Sequence, residues 1–323
     1  MNNSIEEIRS ILFSDKNKTI AVSAHTSPDG DAVGASCALA LAINDMGGKA
    51  RVFLEEYSDT FNVIPTENIV EYTIDDFVPD IYVSVDCGDI ERLGAFGESY
   101  NKAQLRVNID HHKSNTYFGM INYADEYASS ASEVIYRIIS PMFGEFKNPD
   151  SIAGCLYAGI VFDTGGFRHT STSSQTLRIA SELIKYKFDF NKIYNTIFNT
   201  RKFSEAKALG KALENMKRCS CDRIVYSSMT LDEMSQCGTD SDGLSEIVNY
   251  MKGISGCQVS LFVYEKSKGV FKVSMRSEDT ADVSAVCQIF GGGGHAKAAG
   301  CTISGDKEKI TADIIEEIEK QFT

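Results

Sequence analysis

Three short apolar runs near the start of the chain each stop at a side chain that can bind a metal or carry a proton. Residues 19–24 lead into His25, residues 81–85 into Asp86, and residues 105–109 into Asp110. The runs are mostly apolar rather than alternating, which predicts strands buried on both faces. Helical stretches lie between them. One is amphipathic, over residues 5–13; another is rich in small residues, over 32–46, and Gly47-Gly48 stops it. Residues 50–54 read as a further strand. Strands alternating with helices give an α/β fold with a parallel sheet covered on both faces. Open sheets of this kind gather ligands at the carboxyl ends of their strands, so His25, Asp86 and Asp110 are expected at one end of the sheet.

Beyond residue 130 the pattern turns helical. Ser130-Ala-Ser-Glu133 reads as a capping box that opens a helix through Ile139. Further helices are expected over 152–162, 176–186, 193–198 and 203–216. Around Lys217 the pattern changes again, to strands at 223–229, 257–264 and 270–275 and helices at 243–251, 283–290 and 307–322. This predicts a second, smaller α/β domain. The expected division is a first domain over 1–190, a helical linker over 191–215 and a second domain over 216–323.

The chain has 323 residues, with 32 basic and 45 acidic side chains and a formal charge of −13. Gripping long duplex nucleic acid needs a basic face, so a phosphate-bearing substrate should be small. Nine cysteines form no zinc pattern, and Cys219-Ser220-Cys221 is spaced too closely for a knuckle. They read as reduced thiols, which fits a cytoplasmic chain. The amino terminus does not read as a signal peptide. No apolar stretch approaches the roughly 18 residues that span a bilayer, so no membrane partner is expected. Oligomeric state stays open, a homodimer included.

The turn after the first strand, His25-Thr-Ser-Pro-Asp29-Gly-Asp31, can aim one imidazole and two carboxylates at one point. All five histidines (His25, His111, His112, His169 and His295) lie in or beside segments rich in Asp, Gly or Ser rather than in plain amphipathic helices. Mixed imidazole and carboxylate donors suit Mn²⁺, Mg²⁺, Fe²⁺ or catalytic Zn²⁺. The carboxylates outnumber the needs of one ion. Two ions about 3.5–4 Å apart would use them all, activating water and clamping phosphoryl oxygens. In the second domain, the run Gly291, Gly292, Gly293, Gly294 before His295 is expected to lie outside helix and strand and to offer its N–H groups to an anion. Arg276 could hold a phosphate in bidentate fashion.

Taken in order, these segments resemble the DHH phosphoesterase family. The resemblance rests on HTSPDGDAVGA (25–35), VDCGD (85–89), NIDHH (108–112) and GIVFDTGGFRHTST (159–172). RSEDTADVSAVCQIFGGGGHAKAAGC (276–301) is similar to the family's substrate-binding DHHA1 domain. The resemblance implies that His25, Asp29 and Asp86 hold one ion. Asp31, Asp86, His111 and Asp163 hold a second, with Asp86 shared and Mn²⁺ as the metal. It further implies that Asp110 orients a histidine, that His112 meets the scissile phosphate or the leaving oxygen, and that His169 lies near the substrate. Arg276, Gly292, Gly293, Gly294 and His295 would bind a distal phosphate or nucleotide. Within the family the chain looks most like the short bacterial enzymes that degrade oligoribonucleotides of a few residues to nucleoside 5′-monophosphates and dephosphorylate 3′-phosphoadenosine 5′-phosphate. Two alternatives stand beside this: an inorganic pyrophosphatase-like phosphohydrolase, whose Ser-Arg-Lys-Lys motif is not found here, and a weakly catalytic nucleotide-binding sensor.

Overall fold

The apolar runs become the centre of a parallel sheet. In the computed structural model, which describes residues 2–75, 77–244, 246–278 and 281–322, the chain divides into two units, Met1–Thr200 and Arg201–Thr323. The first unit contains strands β1 (Thr19–Ser23), β2 (Lys49–Phe53), β3 (Val70–Glu71), β4 (Ile81–Val85), β5 (Leu105–Asp110) and β6 (Ile121–Ala124). Its helices are α1 (Ile5–Phe13), α2 (Gly30–Asp45), α3 (Gly97–Lys102), α4 (Ala131–Ile139), α5 (Pro149–Asp163), α6 (Ser174–Leu183) and α7 (Phe190–Phe198).

The sheet order is β3-β2-β1-β4-β5-β6, and every pair is parallel. Strand order therefore reverses between β1 and β4, and doubly wound sheets bind ligands outside the carboxyl ends at that point. One face of the sheet is covered by α2 and α4, with α5 packed behind them, in a large aliphatic core. The other carries a smaller aromatic cluster of Phe53, Tyr82, Phe96 and Tyr100. Helix α2 is apolar nearly all round and buried along most of its length, as a helix sandwiched between a sheet and other helices must be. Its small residues let α5 approach closely: a Cβ at Gly34 would stand 2.4 Å from the Cys155 carbonyl oxygen.

The second unit contains α8 (Phe203–Glu214), β7 (Lys217–Cys219), β8 (Ile224–Met229), α9 (Leu231–Cys237), α10 (Ile247–Lys252), β9 (Val259–Ser267), β10 (Val270–Ser277), α11 (Val283–Ile289), β11 (Gly293–His295), β12 (Ala298–Ser304) and α12 (Lys307–Glu319). Its sheet runs β11-β12-β10-β9-β8-β7. Val259, Leu261 and Val263 on β9 and Phe271, Val273 and Met275 on β10 point into one core, while Phe262 points into the other. This is the period-2 alternation of a sheet covered on both sides. Residues 191–215 fall mainly into two helices, α7 in the first unit and α8 in the second, and the division lies between Thr200 and Arg201. Ser245, inside the helix expected over 243–251, lies outside the described residues, as do Asp279 and Thr280 in the C-terminal motif. Among the described residues no helix is long and apolar enough to cross a membrane.

Two sequence expectations are corrected. Ser130 does cap α4, its side chain accepting from the Glu133 amide. The Glu133 carboxylate, however, does not return to Ser130. Its Oε2 accepts from Ser129 Oγ at 2.7 Å and Thr176 Oγ1 at 2.8 Å, tying α4 to the N-terminus of α6. The glycine run is not free loop either. Gly291 and Gly292 donate their N–H groups to the carbonyls of Gln288 and Cys287, closing α11 in a Schellman motif. Gly293 and Gly294 then enter strand β11. Glycine is required at Gly292 and Gly294 because β12 lies so close: a Cβ at Gly292 would stand 2.3 Å from Gly300 O, and one at Gly294 2.5 Å from Ala298 O. Two of the N–H groups expected to face an anion are thus already committed.

Candidate metal centre

Three loops at the carboxyl ends of β1, β4 and β5 supply most of the site. His25 follows β1; its Nδ1 lies 2.7 Å from Thr26 O. A carbonyl can only accept, so Nδ1 carries the proton and the lone pair of Nε2 is left free to bind a metal ion. That atom faces Asp29 Oδ2 at 3.8 Å and Asp86 Oδ2 at 3.6 Å. Asp29 is the N-cap of α2, and its Oδ1 accepts from the amides of Asp31 and Ala32. One oxygen fixes the helix start while the other is turned to the cluster.

Asp86 sits at the centre. It is 2% exposed and has a positive φ of 54°, a conformation L-residues adopt rarely and which concentrates at functional sites. Its Oδ1 lies 3.4 Å from His111 Nε2 and 3.6 Å from His112 Nδ1, yet it is buried and accepts no hydrogen bond. His111 Nε2 also lies 3.2 Å from Asp163 Oδ2, at the last residue of α5. Asp31 completes this side. Its carboxylate accepts from the α4 amides of Ala131 at 2.6 Å and Ser132 at 2.9 Å, a helix N-terminus gripping an anion.

Ligand-capable atoms of His25, Asp29 and Asp86 lie within 4.8 Å of one another, as do those of Asp31, His111 and Asp163. Asp110 falls in a third such group with Asp86, His111 and His112, but both its oxygens are taken. Oδ1 is 2.8 Å from His112 Nδ1 and Oδ2 is 2.5 Å from Asn115 Nδ2. Asn115 in turn donates to Asn108 Oδ1, and Asn108 donates to Cys87 O. Sequence reading missed Asn108 and Asn115. The only signal was a polar side chain three residues past His112, and contact with Asp110 needs the loop to fold back.

The charge pattern is that of a cation site. Burial, then the neighbouring carboxylates, raises Asp31 to about 7 and Asp163 to about 9. Burial opposes the charge of His111, but the Asp86 carboxylate and its neighbours outweigh it and hold the imidazole up at about 10. Burial likewise works against Asp86, and the imidazoles of His111 and His25 overcome it, keeping that carboxylate below its usual range. His112 is raised chiefly by its hydrogen bond to Asp110.

His169 is exposed, its Nδ1 3.1 Å from the carbonyl of Asp163, so it lies against the turn that follows the α5 ligand. Arg276 and the glycine segment belong to the second unit. There Arg276 and His295 both pair in register with Ala298, from strands on either side of it. In-register neighbours share a face, so the two side chains flank a methyl group about 10 Å apart. Arg276 is also held by Asn249 Oδ1 at 3.1 Å and Met275 O at 2.9 Å.

Comparison with known proteins identifies the family. Residues 19–160 match the family described as "DHH family, N-terminal domain" and residues 222–322 match "DHHA1 domain". A Streptococcus mutans protein named probable bifunctional oligoribonuclease and PAP phosphatase NrnA is 30% identical over 284 residues, covering 87% of this chain and 88% of its own. The Bacillus subtilis bifunctional oligoribonuclease and PAP phosphatase NrnA is 27% identical over 317 residues, 96% of each chain. Among solved structures, an exopolyphosphatase-related protein from Bacteroides fragilis superposes with a TM-score of 0.84 at 25% identity, over 98% of this chain and 95% of that one. The chain belongs to the DHH family, a DHH N-terminal domain followed by a DHHA1 domain.

Proposed function

We propose that the chain is a two-metal phosphoesterase that hydrolyses short oligoribonucleotides, dinucleotides included, to nucleoside 5′-monophosphates, and 3′-phosphoadenosine 5′-phosphate to AMP. Asp86 carries the reading: a buried carboxylate whose two oxygens face separate donor sets, one of them left without a hydrogen bond. An orphaned buried carboxylate oxygen among imidazoles is costly unless a cation completes it. Oxygen and imidazole donors suit a divalent ion such as Mn²⁺. His25, Asp29 and Asp86 would hold one ion; Asp31, Asp86, His111 and Asp163 would hold the other. When bound, such a pair activates water and neutralises charge on the phosphoryl oxygens.

The chain's own groups do the rest. Asp110 accepts a hydrogen bond from His112 Nδ1–H and supports the imidazolium, leaving Nε2–H to protonate the departing 3′-oxygen. Asn115 fixes Asp110 so that this ring cannot turn. In the second unit, the Arg276 guanidinium and the His295 imidazole are the groups offered to a further phosphate of the substrate. The test is release of labelled mononucleotide from a dinucleotide in the presence of Mn²⁺, Mg²⁺ or Co²⁺. Release should require metal, and Asp86→Ala should abolish it at saturating metal. Near-normal turnover by that variant would overturn the two-metal reading. Phosphate release from inorganic pyrophosphate, with the dinucleotide left intact, would replace the substrate class.

A further inference from the structure

One large aromatic side chain in the turn between β6 and α4 has no role in the chemistry above. Tyr127 leaves 85% of its surface in water. A lone exposed ring is ordinary on a protein surface; the way this one is mounted is not. The segment that carries it follows β6 and is fastened at both ends to the metal-centre residues. At one end the Asp125 amide donates to Asp110 O at 3.0 Å. At the other, the Ala131 amide donates to Asp31 Oδ2 at 2.6 Å. Between them the turn is locked. The Tyr127 amide donates to Asp125 Oδ1, the Ala128 amide to Asp125 O, and Arg137 pairs with Asp125 at 2.7 Å. Lys113, next to His112, pairs with Glu126 at 3.9 Å. The backbone of Tyr127 is thus two residues from a contact with Asp110 and four from a contact with Asp31. The ring is thus carried on a hydrogen-bonded turn whose two ends meet residues of the metal centre.

We propose that Tyr127 is a stacking platform for the nucleobase of the nucleotide whose phosphate lies at the metal centre. Base-on-aromatic stacking tolerates any base, because every base has a π-face, and single-stranded RNA is commonly held this way. The proposal deepens the phosphoesterase reading and rests on it. Tyr127 is a specificity residue here, separating nucleotides from bare phosphate esters, and takes no part in proton transfer.

The chain contains no tryptophan, so Tyr127→Trp gives a protein with one reporter at the proposed platform. In the presence of Mn²⁺, AMP should quench its emission saturably, while ribose 5-phosphate at equal concentration should leave it unchanged. In kinetics, Tyr127→Ala should raise KM for a dinucleotide about tenfold, the contribution of one stacked base, with kcat within a factor of about two. Tyr127→Phe and Tyr127→Trp should keep the wild-type KM. AMP should inhibit Tyr127→Ala about tenfold more weakly, and ribose 5-phosphate as well as before. No AMP-specific quenching, or equal weakening of both inhibitors, overturns the proposal. The two readings fail separately. Dinucleotide hydrolysis without these effects removes the platform and keeps the phosphoesterase. AMP-specific quenching in a chain that cleaves no dinucleotide removes the activity and keeps the platform.

Discussion

Gly159→Ala tests how tightly helix packing is coupled to the metal centre. Gly159 lies within α5 against the start of α4, where a Cβ would stand 2.0 Å from Ser132 Oγ and 2.5 Å from Asp31 Oδ1. The serine hydroxyl can rotate away. The carboxylate cannot, because the amides of Ala131 and Ser132 hold both its oxygens. Reaching ordinary contact moves the carboxylate by roughly 1 Å, enough to break one charge-assisted hydrogen bond at about 2 kcal/mol. Overpacking adds about 2 kcal/mol, and the better helix propensity of alanine returns about 1 kcal/mol. The net loss of about 3 kcal/mol lowers the Tm of a 200-residue unit by about 10 °C. Because Asp31 moves, the divalent metal concentration for half-maximal stabilisation should rise as well. Gly210→Ala is the control, being the same chemical change in α8, at an exposed position with nothing within 4 Å of the new Cβ. It should raise stability by about 0.5–1 kcal/mol. Differential scanning calorimetry with EDTA and with Mn²⁺ reads both. A Gly159→Ala protein with wild-type melting and wild-type metal response would refute the packing argument.

Metal-free stability should fall as pH rises from 6 to 9. Asp31 and Asp163 bind their protons more tightly in the folded chain, at about 7 and about 9 against an ordinary 3.8, and His111 does so at about 10 against 6.5. In each case the folded state holds the extra proton between the two values, so stability present below the window is lost through it, at about 1.4 kcal/mol per pH unit per proton. Thermal melts in EDTA should show this slope, Asp163→Asn should flatten it, and saturating Mn²⁺ should reverse it; a flat wild-type profile in EDTA would sink the assignment. Metal binding should release protons, measured as buffer-dependent heats in isothermal titration. Asn115→Ala should cut kcat by about tenfold to a hundredfold with little change in KM, since it frees the Asp110–His112 pair without touching a ligand. A KM effect alone would place Asn115 in substrate binding instead. His295→Ala should raise KM for a dinucleotide more than for an aryl phosphate ester, and equal effects would argue against substrate reading by the second unit.

What the sequence determined by itself was local and periodic. The buried strands β1, β4 and β5 showed as apolar runs because a strand covered on both faces has no polar side to show. Their ends showed because His25, Asp86 and Asp110 interrupt those runs. The short strands β3, β7 and β11 and the helix α9 were not legible, since a few residues carry too little period to be read. Strand β12 was hidden by its small residues, Ala298 to Gly300. Tertiary structure alone decided what lies across space. It turned Asp86 into a left-handed conformation between two donor sets, set the N-terminus of α4 against Asp31, and folded Asn115 back onto Asp110. It also spent the glycine run on a helix stop and a close hairpin, and drew Arg276 and His295 into one row across Ala298. Residue types fix which chemistry is available. Where each lone pair points depends on how segments more than a hundred residues apart are set against one another, and one sequence does not encode that in any short-range pattern.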